Sequence, residues 1–589
     1  MGKTLREIVS QIIVTKLVGR TCYVRDSYPR ILWGLMRLAL MLVASFVSVS
    51  AHAQDGAQCS TLRSEVTLSP LSGHRIDSVL VETAQPSLGK LARLVGRVHV
   101  RTRPEVIQRE LLFAPGDTVD TLEVAESLRR LRKLAFIDYA HIEARQCTTQ
   151  SGEQLVLKVM TRDSWTTRAE VKASSTSPRF GLTERDLFGM GRSVSLDLVS
   201  RNGSLGAGMT TSDAFGFGTG LTTRAQYQRY SDGSIRALSL ARHQARLTDR
   251  WRAQLDLIDQ RVEAKSALRE DFERTRGEFI AGIRVSPRNA SHVVYLLGGA
   301  ESEFTSLRAA PGEQLIGPER VDRRFTAPQI GISVLSSRYD TLTWMLASGS
   351  VVDVPRTLEG ELVVGIGSGA VASTDSSAPA EISRNFMTHY DGWLGREWLP
   401  TRRSRLVGDV WASGYSSVGD WHSGRIRAAL SAEHAASHGL WRLFAAGEQL
   451  RDPDPDIRAL IIYDRALAFV PRRIRLAESA LTVSLERTRH LHAIGSSLEL
   501  DGSVFGAFSK RWDPAASSSS VSTATEDFSV SVLGLGLSLS PRRAGRGTVR
   551  LDYGVPLSAP PGVKRTPRLS ITLMPWLEAS RHRDKNGGF

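Results

Sequence analysis

At 589 residues the chain exceeds one ordinary hydrophobic core, and it has room for three or four domains of about 150 residues or for one large closed barrel plus a smaller module. With 41% hydrophobic and 23% charged residues it is neither a disordered chain nor a bundle of membrane helices, and past residue 53 no apolar run of about 18 residues predicts a later transmembrane helix. The net charge is +15; residues 1–53 hold seven basic and two acidic residues, or +5, which leaves +10 scattered over the rest. Ten lysines among the 76 basic residues leave 66 arginines, and a scattered arginine excess fits a basic surface or lumen rather than a nucleic-acid patch, so no nucleic-acid partner is expected.

Residues 38–50 (LALMLVASFVSVS) form an apolar stretch preceded by Arg37 and followed by Ala51-His52-Ala53, an A-x-A cleavage site before Gln54. This predicts a secretory signal over 1–53 with a long basic n-region, or a compact signal if translation starts at Met36; the alternative is a buried helix of a soluble protein. Of the three cysteines, Cys22 lies in the removable part, leaving Cys59 and Cys147 either as a disulfide of an exported protein or as two free thiols. No CxxC occurs, which argues against a thioredoxin motif or a zinc knuckle.

Residues 54–73 read as a linker. His74 to Val81 then reads as a strand, Pro104 opens a helix in whose first turn its missing N–H costs nothing, and Pro115-Gly116-Asp117 is a turn. Asp120 with Glu123 looks like a capping pair for a second helix, where Val124, Leu128, Leu131 and Ala135 form the apolar face and Arg129, Arg130, Arg132 and Lys133 a basic one. Two alternating strands follow, around 139–145 and 155–160, giving the order β-α-α-β-β over 74–163. VHVRTRPEVIQRELLFAPGDTVD (98–120), LEVAESLRRLRKLAFIDYAHIEA (122–144) and LVLKVMTRDSW (155–165) resemble a polypeptide-transport-associated (POTRA) domain of the BamA/TamA-type outer-membrane assembly superfamily. The resemblance implies a periplasmic module that docks unfolded client chains by strand addition, with Tyr139 and His141 on the docking edge; a rigid spacer or plug is the bland alternative.

From Gly181 onward strand-like segments recur between Gly, Ser, Asp, Asn and Pro. Val549, Leu551, Tyr553, Val555 and Leu557 share one face while Arg550, Asp552 and Gly554 share the other; Trp251 to Leu257, Val194 to Leu198, Leu481 to Leu485 and Leu498 to Val504 alternate likewise. A soluble sandwich also alternates. Nearly 400 residues of such segments without a convincing helix, behind an export signal and with a length suited to tilted membrane strands, favour a membrane barrel over about 180–578, followed by a polar tail, 579–589. GLTERDLFGMGRSVSLDL (181–198), VRLDYGVPLS (549–558) and RLSITLMPWLE (568–578) resemble the opening, penultimate and closing strands of the same superfamily. The resemblance implies about 16 antiparallel strands and an insertion signal at the closing aromatic, Trp576, with Phe589 as the rival. It also implies an inward loop whose arginine meets an acid on a neighbouring strand. Arg458 matches that arginine, Ala459 and Leu460 replace the Gly and aromatic of the motif, Gly506 stands where the acid is expected, and Asp501 or Glu499 would substitute.

Three weaker patterns fail on their surroundings. Gly365 to Ala370 loosely fits a nucleotide loop but leads into a polar loop and not a helix. Glu433-His434 with His438 sits at a strand end, and no G-x-S-x-G elbow or triad spacing appears, with Asp163, Ser164 and His141 reading as strand ends. The expectation is therefore an all-β transmembrane barrel with one N-terminal βααββ POTRA-like domain, in the outer membrane of a Gram-negative bacterium, acting without cofactor or metal and not as an enzyme. It would assist outer-membrane protein assembly or polypeptide translocation. Its partners would be unfolded outer-membrane or secreted polypeptides, the lipid bilayer, lipopolysaccharide, and periplasmic chaperones or accessory lipoproteins. A passive pore and a surface-adhesion barrel are the competing readings.

Overall fold

The computed structural model describes residues 58–64, 71–85, 100–149, 152–164, 166–173, 179–201, 204–213, 221–230, 233–242, 249–262, 270–287, 290–309, 320–342, 351–375, 378–417, 420–437, 439–451, 479–494, 498–512, 528–541, 548–559 and 565–574. The export signal 1–53 with Met36, the tail 579–589, Arg458, Trp576 and His438 lie outside the described residues.

The N-terminal module is built from β1 (Gln58–Ser64), β2 (Ser78–Ala84), α1 (Pro104–Glu110), α2 (Thr121–Lys133), β3 (Ile137–Thr149) and β4 (Gly152–Asp163). Its sheet has the order β1-β3-β4-β2, with β2 parallel and β3 antiparallel to β4. Pro104 stands in the first turn of α1, and the Asp120 carboxylate accepts the Leu122 N–H at 2.8 Å to cap α2. The apolar stripe of α2 (Val124, Leu128, Leu131) packs with Val106, Ile107, Phe113, Ile142, Leu157 and Val159 into one core. Each such side chain removed from water contributes roughly 1.5–3 kcal/mol, so this small sheet has a core of its own. The segment read as a linker, 54–73, contributes β1: QCSTLRS has no apolar alternation to announce a strand, and β1 joins the sheet beside β3.

The rest is one antiparallel sheet that closes on itself. Its strands are β5 (Thr167–Ala173), β6 (Arg179–Glu184), β7 (Arg192–Arg201), β8 (Ser204–Asp213), β9 (Thr222–Tyr230), β10 (Gly233–Arg242), β11 (Trp251–Val262), β12 (Glu270–Arg284), β13 (His292–Ala309), β14 (Arg320–Ser336), β17 (Glu359–Asp375), β18 (Ala378–Thr401), β19 (Ser404–Ser417), β20 (Asp420–Ala436), β21 (Gly439–Arg451), β22 (Ser479–Ile494), β23 (Leu498–Trp512), β24 (Phe528–Pro541), β25 (Thr548–Ser558) and β26 (Arg568–Met574). A separate hairpin, β15 (Tyr339–Leu342) and β16 (Val352–Pro355), stands between β14 and β17.

The closed sheet thus has twenty strands among the described residues, against the expected sixteen. The excess comes from the N-terminal part, where the sheet begins at Thr167 rather than near 180 and β7 to β10 fill residues 192–242, half the length that about 25 residues per strand-plus-loop would allot. Inside and outside follow the period-two alternation of a strand. Leu196, Leu198, Leu257, Val504, Val549 and Tyr553 are exposed on the outer face, and Ile330 and Phe386 reach 69% and 67% exposure there. Asp197, Asp256, Glu486, Ser503 and Asp552, from the alternate positions, are buried inside. An oily exterior, a polar interior and a sheet without free edges are the physical requirements of a barrel in lipid, where unpaired backbone groups are not tolerated. Residues 365–370 lie within β17, a strand and not a phosphate loop.

Candidate functional site

Residues 101–103, which precede α1, dock on the turn between β6 and β7. The Thr102 N–H donates to Asp163 Oδ2 at 3.0 Å and its hydroxyl donates to Asp186 Oδ2 at 2.7 Å, while the Gly191 N–H donates to Asp186 Oδ1 at 2.6 Å. The Arg103 N–H donates to Gly189 O at 3.0 Å and its Nε to Phe188 O at 3.3 Å. Thr102, Asp163 and Asp186 are all buried; Asp163, read from the sequence as a strand end, closes β4 and fixes residue 102 within the module, while Asp186 joins that residue to the barrel. Burial pushes the Asp186 carboxyl above the ordinary aspartate range; the Thr102 and Gly191 hydrogen bonds oppose that shift, and Asp163 and Glu184 add to it. Gly189 has φ +70°, and a Cβ there would stand 2.3 Å from the Arg101 carbonyl oxygen, which explains a glycine in the GLTERDLFGMGR stretch.

A second contact forms on α2. The Arg129 guanidinium pairs with Glu126 and lies 4.5 Å from the centre of the Tyr339 ring, and Arg132 Nη1 meets Asp353 Oδ1 at 3.3 Å. Two arginines of the basic face therefore turn to the β15–β16 hairpin. Eight strands (β7 to β14) separate this hairpin from the β6–β7 turn in a ring of twenty. Two anchors so far apart on one rim lay the module across that mouth of the barrel.

The inner wall carries an ion network that the sequence reading missed. Glu301 on β13 accepts from Gln329 Nε2 at 2.9 Å, meets Arg276 Nε at 2.8 Å and His389 Nδ1 at 2.7 Å. The Tyr415 hydroxyl donates to Glu303 at 2.8 Å and Glu301 at 3.1 Å, and Arg274 pairs with Glu303 at 2.7 Å. Tyr415 lies on β19, so these bonds bridge over β14, β17 and β18; Arg252 on β11 reaches Glu361 on β17 in the same way. Bonds between strands four places apart draw the wall inward and narrow the lumen at this level. A second inward cluster joins Arg550 to Glu486 (2.6 Å), Asp552 (2.9 Å) and Ser503 (2.9 Å). The signal for both clusters was the alternating acid and arginine in ERTRGE (273–278), ESE (301–303) and RLD (550–552).

The other predicted residues fall as follows. Asp501 and Glu499 stand on the inward-facing parity of β23, and Asp501 Oδ1 is 3.2 Å from His490 Nδ1. Arg458, their expected partner, lies outside the described residues. Gly506 shares its face with Val504 and Phe508, both exposed to the outside, so this position could not carry a lumen acid in this register. Tyr139 and His141 stack at 6.3 Å on β3, but the strand order sets β3 between β1 and β4. The segment taken as a linker thus supplies a seven-residue strand on the flank of the thirteen-residue β3 that was expected to be its open edge. Cys147 is buried and disulfide-bonded, and Cys59 lies on the neighbouring strand β1. Glu433 is buried with Arg405 at 3.4 Å, whereas His434 is bonded to Ser404 at 2.9 Å on the exposed side; a strand places them on opposite faces, unlike a metal site. Among the described residues no cluster of His, Cys, Asp and Glu is arranged to hold a metal ion.

These features define a membrane-type β-barrel preceded by one α+β module. No family model matches the chain. Over 114 residues it is 29% identical to the outer membrane protein assembly factor BamA of Neorickettsia risticii (strain Illinois), a stretch covering 18% of this chain and 15% of that relative. Among solved structures it is similar to BamA from Haemophilus ducreyi lacking POTRA domains 1–3 (11% identity, 98% of each chain, TM-score 0.32). It is also similar to CdiB from Escherichia coli (10% identity, 97% of this chain and 87% of that one, TM-score 0.35). TM-scores this low carry no argument, and the barrel rests on its own hydrogen-bond ladder. The BamA match and the order of module and barrel support a divergent member of the BamA/TamA-type superfamily.

Proposed function

We propose that this chain assists the assembly of outer-membrane proteins, or the translocation of polypeptides, in a Gram-negative outer membrane, and that it does so without enzymatic chemistry. The observation that carries the reading is the seam. Neighbouring strands elsewhere in the ring share six or more residue pairs, but β26 and β5 share two among the described residues, Ile571 with Ala173 and Thr572 with Lys172. When the seam parts, β26 offers backbone groups that a client strand can pair with. The N-terminal module presents clients from the outer edges of β1 or β2, on the periplasmic side. The driving free energy is the client's own hydrogen bonding and burial in lipid.

The passive-pore reading fits less well, because the module crosses one mouth and the Glu301–Tyr415 network narrows the lumen. Cysteines at the register partners Lys172 and Thr572 test the proposal. In proteoliposomes, oxidation of the Lys172→Cys, Thr572→Cys pair is expected to cut client-barrel folding at least ten-fold, with recovery on reduction. Undiminished folding with the seam locked overturns it.

A further inference from the structure

We infer that the outer wall over β22 to β26 holds a binding site for an anionic phospholipid. A groove of about 580 Å³ lies there, on the face that meets lipid. It follows from register. Arg487, Val504, Leu535, Tyr553 and Leu569 are successive cross-strand partners and form one continuous row. The next row runs Arg489, Gly502, Leu537, Leu551. Gly502 has no side chain, which lets the Leu491 side chain lie over it, and Leu491 and Gly502 together form the floor of the groove between Arg489 and Leu537. Its far wall is apolar: Leu535, Leu537, Tyr553 and Leu569 are all exposed. Four strand spacings of about 4.8 Å give a trough of roughly 19 Å across the strands, the length over which an acyl chain can lie against the wall.

The arginine end decides the occupant. Outward-facing arginine is costly in hydrocarbon, by about 2–4 kcal/mol at the midplane, and is tolerated near the headgroups. Two of them two residues apart on one strand call for a phosphate. Arg487 is also the register partner of Trp441, with its guanidinium 5.1 Å from the ring centre. Two other outward pairs repeat the device near the strand ends on the module's side of the barrel: Arg242 with Trp251 at 4.0 Å and Arg396 with Trp398 at 5.2 Å. The three pairs mark the interface of the leaflet facing the module. Only the Arg487 pair opens onto the groove, so only there can a headgroup phosphate and an acyl chain be held together.

Native mass spectrometry of the full-length protein released from detergent is the test, with phosphatidylglycerol, phosphatidylcholine and inorganic phosphate as probes. The expected result is retention of one phosphatidylglycerol at least ten-fold more strongly than phosphatidylcholine. The double variant Arg487→Gln, Arg489→Gln and the variant Gly502→Leu, whose side chain pushes Leu491 out into the groove, are each expected to lose that preference about ten-fold while keeping their heat-dependent gel shift as folded barrels. Equal retention of the two lipids overturns the inference, as does wild-type retention by both variants. Competition by inorganic phosphate as strong as by phosphatidylglycerol would show a bare phosphate site and also overturn it. Client folding in the seam experiment has no part in this readout, so either reading can fail alone.

Discussion

Replacing Gly189 with alanine should release the N-terminal module from the barrel without unfolding either. At φ +70° a side chain costs about 1–2 kcal/mol. The new Cβ would also sit 2.3 Å from the Arg101 carbonyl oxygen, a backbone atom that cannot swing aside as a side-chain tip would. Relief of that contact requires residues 101–103 to lift, which breaks the 3.0 Å bond from the Arg103 N–H to Gly189 O, worth about 1 kcal/mol net. The sum, about 2–3 kcal/mol, corresponds to roughly a 30- to 150-fold shift toward the undocked state. Hydrogen exchange reads it directly, because the Arg103 amide donates across the junction to Gly189 O. Its exchange should accelerate by that factor while amides of β12 to β14 and the heat-dependent gel shift stay unchanged. Gly73→Ala is the control: its φ is +85°, but a Cβ there meets nothing within 4 Å and the residue is remote from the junction. Unchanged exchange at Arg103 in Gly189→Ala would refute the docking geometry.

Arg132→Ala and Asp353→Ala should each loosen the second anchor, and a double-mutant cycle read by the same exchange assay should give a coupling of about 0.5–1 kcal/mol for this mostly buried 3.3 Å pair. Non-reducing peptide mapping should find Cys147 joined to Cys59, and its removal should cost the module about 2–5 kcal/mol in denaturant melts. The Asp186 carboxyl is raised in the folded state, so that state binds its proton more tightly than the unfolded chain does. Junction stability should therefore fall as pH rises from the ordinary aspartate range through the raised folded value, then level off, and Asp186→Asn should flatten this profile in exchange measurements. Tyr415→Phe removes a donor to Glu301 and Glu303, leaving buried carboxylates short of one bond, and should lower barrel stability by about 1–3 kcal/mol, measured as an earlier heat-dependent gel transition.

What the sequence made legible was local. Asp120 before an i, i+4, i+7 stripe announced a capped amphipathic helix, and the structure has it over Thr121–Lys133. The alternation from Val549 to Leu557 told lipid from lumen, and Val549, Tyr553, Val555 and Leu557 are indeed exposed. The same parity contained the correction at Gly506: with Val504 outside, Gly506 two residues on must also face out. β1 was illegible because its seven residues carry no pattern, and only their partner β3 makes them a strand. The Glu301–Tyr415 network was illegible for a different reason. Alternation says which side chains point inward, but which of them meet across three intervening strands depends on how the closed wall curves, and that is set by the whole ring.

That curvature gives the ring two unlike halves. The seam lies between β26 and β5, and ten strands away, at the opposite point of the twenty, stands the junction of β14 and β17. The network of Arg276, Glu301, Gln329, His389 and Tyr415 straddles that point, and so does the hairpin that receives Arg132. The wall is thus cross-braced where it faces the seam, while at the seam itself two backbone pairs join β26 and β5 among the described residues. If a client strand enters by displacing the β26–β5 pairing, the strain must be taken up elsewhere, and a uniformly soft cylinder would spread it into every ladder. A braced spine instead confines it to the two flanks, which swing as leaves about β14 and β17. On this argument, cutting the brace with Tyr415→Phe should slow client folding even though no client touches Tyr415, and it should do so without altering the Lys172–Thr572 lock. Folding rates in proteoliposomes that match wild type would remove the spine from the mechanism and leave the seam to act alone.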